Sequence, residues 1–323
     1  MAIKIGFIGC GGMNNAHMKN IAANPDGEVV AVCDIDEQRA EKTAAEYGAT
    51  AYTAYERMIE EAKLDACYIA VPPFAHQGQE TMAAEAGLHL LVEKPVALDL
   101  KTARAVEKAI KKAGIISTVG FQDRYLDVIA RAKEVLAENK PGLMMGYWMG
   151  GIPGVWWWRL KDKSGGQAVE QTIHHFDSAR YLFGEVEMVH AVSSRGLVTG
   201  MEGYNVEDAS AVNLQFASGL CGTIFSSCFA AARNRNGMDV WCREVSLEYT
   251  ERRSLRVIHG NGDEEFINVK MDPVAELDNT FVAAVTKNDQ SLLKDDYADA
   301  VRSLQVVLAA NESMASGEAI RLG

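Results

Sequence analysis

Two stretches carry the side chains best suited to chemistry: Val92-Glu93-Lys94-Pro95, and the segment from Ser164 to Asp177. In the second, Glu170, His174 and Asp177 stand at i, i+4 and i+7. If that segment is one helix, the three side chains rise on one face, where each alters the protonation of the next. A solvated helix face has the same spacing, so proton transfer is expected only if another part of the chain supplies a reacting group. Lys94 is the candidate. Pro95 restricts the backbone before it, and a lysine partly desolvated at a sheet edge has the lowered basicity that a base for an alcohol proton needs. A surface lysine is the ordinary alternative. His175 points roughly 100° round the helix from His174 and reads as core. Adjacent histidines point apart and no third ligand stands at standard spacing, so no metal is expected.

The elements that must position these groups follow from the apolar pattern. β-branched runs near 3–9, 28–34, 65–71, 88–93 and 115–121 alternate with helical patterns near 13–23, 37–47, 55–62, 76–86 and 99–113. Gly48, Gly87 and Gly114 stand where the helices should end. This is the form of an α/β, doubly wound parallel sheet. The first strand runs into Gly9-Cys10-Gly11-Gly12-Met13-Asn14 and then a helix. Two glycines of G-x-G-x-x-G are present, which suits a tight turn and close approach of backbone N–H groups to a pyrophosphate. Asn14 replaces the third, predicting a wider helix–strand approach or a side-chain contact to the ligand. Asp34 ends the second strand, where a carboxylate accepts hydrogen bonds from ribose hydroxyls and repels a 2′-phosphate. NAD is therefore expected over NADP, with Arg39 as the residue that could still reach a phosphate. A helix N-cap is the alternative for Asp34. Pro72 and Pro73 stop the next strand at the carboxyl edge, where ligands bind, with His76 just beyond.

Together, the glycine loop with Asp34, Pro72-x-x-x-His76, Glu93-Lys94-Pro95 and the Gly-Gly…His-x-x-Asp segment resemble the Gfo/Idh/MocA oxidoreductases over nearly the whole chain. The family is named for glucose–fructose oxidoreductase and inositol dehydrogenase. The resemblance implies a dinucleotide-binding Rossmann domain over 1–121, then a substrate-binding and oligomerisation α/β domain over 122–323 with a large, mostly antiparallel open sheet. Such a sheet commonly forms the subunit interface, implying a homodimer or homotetramer. The cofactor contacts expected are Gly9, Gly11, Gly12, Met13, Asn14, Asp34, Pro72, His76, Glu93, Lys94 and Gln122. The catalytic residues expected are Lys94 and His174, supported by Asp177 and Glu170. Members that oxidise polyols usually carry Asp four residues before the histidine, so Glu170 is a departure. Substrate contacts are expected from Arg124, Gln171 and His174, a junction salt bridge being the alternative for Arg124. Trp156, Trp157 and Trp158 lie in a turn-rich segment. An indole offers a sugar both an apolar face and an N–H donor, and Trp157 is the candidate, with core packing as the alternative.

The later chain suggests strands near 143–149, 187–195, 207–217, 220–230, 239–249, 253–259 and 264–268, and helices near 127–138, 273–287 and 297–316. With 323 residues and a formal charge of −12, the chain suits two folded domains and argues against nucleic acid or an anionic membrane as partner. The uncharged runs 141–158 and 209–232 are broken by glycines or polar residues and are not spans. Six cysteines without Cys-x-x-Cys spacing, and no signal peptide, point to a cytoplasmic protein. The reading is an NAD-dependent dehydrogenase acting on a secondary alcohol of a carbohydrate. The rivals are a glycosidase using bound NAD transiently, and a dinucleotide-sensing regulator, against which the retained Lys94 and His174 argue.

Overall fold

The structure is a computed structural model describing residues 2–323 apart from Ala231 and Arg233. Met1 of the expected first domain, and Ala231 of the run 209–232, lie outside the described residues. The chain opens with β1 (Ile3–Ile8), α1 (Gly12–Ala23), β2 (Gly27–Cys33), α2 (Glu37–Tyr47), β3 (Thr50–Tyr52), α3 (Tyr55–Glu61), β4 (Ala66–Ile69), α4 (Gln79–Glu85), β5 (His89–Val92), α5 (Leu100–Ala113) and β6 (Ser117–Val119). The six strands pair in parallel in the order β3-β2-β1-β4-β5-β6, the doubly wound arrangement that puts all carboxyl ends on one edge. Buried runs such as Ala66–Ile69 reflect cover on both faces. Aspartates at 36 and 99 cap α2 and α5, and left-handed Gly48 and Gly114 close them. The helix expected over 76–86 is shorter: a 3₁₀ turn spans Pro73–Ala75, and Gly78 at φ +121° precedes α4.

The first compact unit takes in the chain up to Gln122 together with Asp272–Val301, and the second takes Asp123–Met271 with Arg302–Gly323. This differs from the contiguous division at 121/122, and the reason is packing. The helix at Pro273–Lys287 buries Leu277, Phe281 and Val282. Phe281 meets Tyr68 edge-on at 5.4 Å. Beyond that helix, Asp295 accepts a hydrogen bond from the Thr118 hydroxyl, and Gln290 bonds the Ser117 backbone in both directions at 2.9 and 3.0 Å.

The second unit continues with α6 (Asp127–Glu138), β7 (Pro141–Met149), α7 (Lys161–Ser164), α8 (Gln167–Glu170), α9 (Ile173–Phe183), β8 (Val186–Ser194), β9 (Ala209–Phe216), β10 (Cys221–Ser227), β11 (Arg235–Cys242), β12 (Val245–Thr250), β13 (Ser254–His259) and β14 (Glu264–Asn268). The returning helix of the first unit is α10, after which come α11 (Tyr297–Ser316), in which the division falls, and β15 (Ile320–Arg321). Nine strands form one sheet, β14-β13-β12-β11-β7-β10-β9-β8-β15, antiparallel except for the β7–β10 pair. Alternating burial along β9 shows one covered face. The single strand expected over 239–249 is two, because Arg243-Glu244 turns the chain between β11 and β12. Among the described residues no helix is long and apolar enough to cross a membrane.

Candidate active site

The residues expected to carry the chemistry fall in two groups, one in each domain. In the first, Gly9 leaves β1 at φ +90°, and a Cβ there would lie 2.3 Å from the Ala70 carbonyl oxygen, so only glycine fits. Gly11 caps α1 without a side-chain bond, and nothing lies within 4 Å of where a Cβ on Gly11 or Gly12 would stand. The start of α1 is thus uncrowded at both glycines, and its first N–H groups lack intrahelical partners, as suits a helix end that receives a pyrophosphate. Half-exposed Met13 follows. Asn14 is buried, and its amide donates to the carbonyls of Ile8 at 2.8 Å and Gly9 at 2.6 Å. The side chain that replaces the third glycine therefore staples the loop to β1.

Asp34 is buried and accepts from the Cys10 N–H at 2.8 Å and the Asp36 N–H at 2.9 Å, with the Arg39 guanidinium 3.4 Å from both oxygens. Asp36, not Asp34, caps α2. A carboxylate offers about four acceptor positions, and these contacts account for all four, so ribose hydroxyls would take the place of the long contacts to Arg39. The loop and Asp34 together fit a dinucleotide.

Further along the same edge, Pro72 leads into the turn that carries His76, whose Nδ1 lies 2.5 Å from Glu80 Oε1 with both side chains buried. The Nδ1 of His76, an expected cofactor contact, is thus engaged by Glu80. Lys94 follows β5, half-buried, and its bond to Pro95 is cis. Glu93, also an expected cofactor contact, is 5% exposed. One oxygen lies 3.2 Å from His17 Nε2, and the other accepts the Lys94 N–H at 3.2 Å. His17 Nδ1 lies 2.7 Å from Asp278, whose other oxygen accepts from Asn20 at 2.8 Å. Burial alone would lower the His17 pKa, but hydrogen bonds to Asp278 and Glu93 outweigh it and push it up to about 10. Gln122 is buried at the end of the first stretch of this domain.

In the second domain, Glu170, His174 and Asp177 do not share one helix. α8 ends at Glu170 and α9 begins at Ile173, with Gln171 and Thr172 between. Glu170 accepts the Trp158 indole N–H at 2.8 Å. Asp177 takes a two-pronged bond from Arg124, at 2.8 and 2.6 Å, and a third from the Ser303 hydroxyl at 2.7 Å. Asp177, expected to support His174, thus anchors Arg124 from the same helix. Arg124 is buried in this ion pair, the role that stood as the alternative to a substrate contact.

The His174 ring is 5% exposed and stacks on Trp148, 6.2 Å between centroids and 13° between planes. His175 is wholly buried with Nε2 3.2 Å from the Tyr147 carbonyl, and burial pushes its pKa down to about 4. It is therefore neutral and donates Nε2–H. Buried polar atoms of Gln167, Gln171 and Thr172 have no hydrogen-bond partner among the described residues. Trp157 packs, partly buried, against the buried cluster of Trp158, Val206 and Cys228, while Trp156 is 58% exposed.

Two family models match the chain. One, described as oxidoreductase family, NAD-binding Rossmann fold, covers residues 3–121, and the Gfo/Idh/MocA C-terminal domain covers 131–248. The chain belongs to the Gfo/Idh/MocA oxidoreductase family. The scyllo-inositol 2-dehydrogenase (NAD(+)) of Bacillus subtilis is 26% identical over 99% of this chain and 96% of its own length. The inositol 2-dehydrogenase of Rhizobium meliloti is 25% identical over 100% of both. A solved structure of levoglucosan dehydrogenase with NADH and levoglucosan shares the fold, with a TM-score of 0.90 over 99% of each chain at 22% identity.

In this Gfo/Idh/MocA chain, sequence reading missed His17 beside Glu93 in the first domain, and Trp148, Gln167 and Thr172 near His174 in the second. His17 left a signal. It lies on the buried face of α1 with Asn14, Met18 and Ile21, a polar residue in an apolar stripe. Its partner Asp278 is 261 residues away, so no spacing announces the pair.

Proposed function

We propose that this Gfo/Idh/MocA oxidoreductase oxidises a secondary alcohol of a polyol or sugar, or reduces the matching ketone, with NAD rather than NADP. The observation that carries the reading is that Lys94 leaves β5 at the carboxyl edge onto which the glycine loop opens, so base and dinucleotide cradle belong to one edge. Bound NAD accepts or returns the hydride, and the protein supplies alignment and proton exchange. Lys94 removes the hydroxyl proton during oxidation and returns it during reduction. His174, held flat against Trp148, orients or relays that proton. Arg124 and Asp177 act one step back, by fixing α9. Gln171, with Gln167 and Thr172, supports a substrate rich in hydroxyls, because buried polar atoms without partners are groups that sugar hydroxyls satisfy. The relatives named above, which are inositol and levoglucosan dehydrogenases, support the same substrate class. Asp34 supports NAD, since a 2′-phosphate would be set against a buried carboxylate.

The test is NADH formation against a panel of inositols, sugars and sugar acids, with NADP run in parallel. Turnover of at least one polyol with NAD, and a clear preference over NADP, is expected. Release of sugar from an aryl glycoside without NADH formation from any panel member would overturn the reading.

A further inference from the structure

We propose that His17 is a positioning residue for Lys94, acting through Glu93. This deepens the proposed function and rests on Lys94 being its acid/base. The contacts run in one line inside the first domain. Asn20 and His17 hold the two oxygens of Asp278 at 2.8 and 2.7 Å. The far nitrogen of His17 holds Glu93 at 3.2 Å, and Glu93 holds the backbone N–H of Lys94 at 3.2 Å. Each carboxylate oxygen named therefore has a defined partner, and the last one is the peptide from which the lysine side chain projects.

Three features argue that the line serves Lys94 and is more than packing. Apolar residues of the same volume often stabilise as well as a buried ionic cluster, so stability is weak ground for placing an imidazole between two carboxylates. Gly120 makes room for Glu93 to turn inward, since a Cβ there would lie 2.1 Å from Glu93 Oε1. His17 also belongs to α1, the helix that follows the glycine loop, so one imidazole ties that helix to the residue before the lysine. The charge this needs is present, because Asp278 and Glu93 keep His17 protonated.

The test uses the full chain with its lysines reductively ¹³C-methylated. Lys94 is assigned by the signal lost in Lys94→Met. Glu93→Gln removes the charge that holds His17 but leaves the His17–Asp278 pair matched, and Gly120→Ala displaces Glu93 by its Cβ without changing any charge, so either variant decides. The Lys94 resonance is expected to move in both, while NADH affinity by fluorescence stays within about twofold. An unmoved Lys94 resonance overturns the proposal. With the polyol that gives NADH, Glu93→Gln is expected to lower turnover about tenfold or more in the wild-type background and not at all on Lys94→Met. An equal loss in both backgrounds also overturns it. Wild-type turnover by Lys94→Met would instead remove Lys94 from the mechanism, and the resonance would still decide whether Glu93 fixes the lysine.

Discussion

In the first domain a buried imidazole, His17, lies between Glu93 and Asp278, immediately before the lysine expected to move a proton. In the second a buried guanidinium, Arg124, grips Asp177 one turn along α9 from His174. From each cluster the sequence offered one residue as a ligand contact, Glu93 in the first and Arg124 in the second, and in the structure Glu93 bonds the Lys94 N–H while Arg124 bonds Asp177 on α9. The clusters differ in the origin of the charge. Arg124 is charged at any working pH, whereas His17 is charged because two carboxylates overcome its burial. His175 gives the control. It is as buried as His17 but bonds only a carbonyl, and burial pushes its pKa down to about 4. Partners, more than depth, set the protonation of buried histidines here.

The comparison can be broken at its strongest point by Arg124→Met. This leaves Asp177 as a buried charge and is expected to cost about 3–5 kcal/mol in urea unfolding, with little dependence on pH near neutrality. Removing both charges together in Arg124→Met/Asp177→Leu should restore much of that loss. A single variant as stable as wild type would show that the pair is not held in a low-dielectric interior.

The pH dependence sharpens the contrast between the histidines. His17 has its folded pKa raised from 6.5 to about 10, so the stability it adds is fully present below pH 6.5 and is lost as pH rises toward 10. His175 has its folded pKa lowered from 6.5 to about 4, so its contribution is present above pH 6.5 and is lost as pH falls toward 4. Urea midpoints across pH should show His17→Gln flattening the alkaline limb and His175→Gln flattening the acid limb. The opposite assignment of limbs would overturn the two charge states.

Smaller effects are expected from single atoms. Gly120→Ala pushes a Cβ into Glu93 and should cost about 1–3 kcal/mol of stability. Asn14→Gly restores the usual glycine but removes the staple to Ile8 and Gly9. Its cost should be about 1 kcal/mol, offset in part because the unpartnered Asn14 Oδ1 goes too. A stabilised variant would show that the staple is dispensable.

What was legible in the sequence was local. The β1–glycine loop–α1–β2–Asp34 unit depends on neighbours along the chain, and its glycines and carboxylate stand where the spacing put them. β3 was missed because three residues carry no readable period. The turn at Arg243-Glu244 was overrun because one charged pair interrupts an apolar stretch that otherwise reads as continuous. In the second domain the residue types were found but not their partners. Asp177 meets Arg124 across 53 residues and Ser303 across 126, and Glu170 meets Trp158 after two intervening turns. The break between α8 and α9 changed the geometry further, because the i, i+4, i+7 reading assumed a single helix. The return of Asp272–Val301 to the first domain was hidden for the same reason, since α10 reads as an ordinary amphipathic helix until its contacts are known.

The central claim is that Lys94 exchanges the proton while bound NAD exchanges the hydride. Lys94→Met tests it most directly, with NADH affinity measured by fluorescence and turnover by NADH formation from the most active panel polyol. The account predicts near wild-type NADH affinity with turnover lowered about 10²-fold or more. Unchanged turnover with intact NADH binding would contradict it.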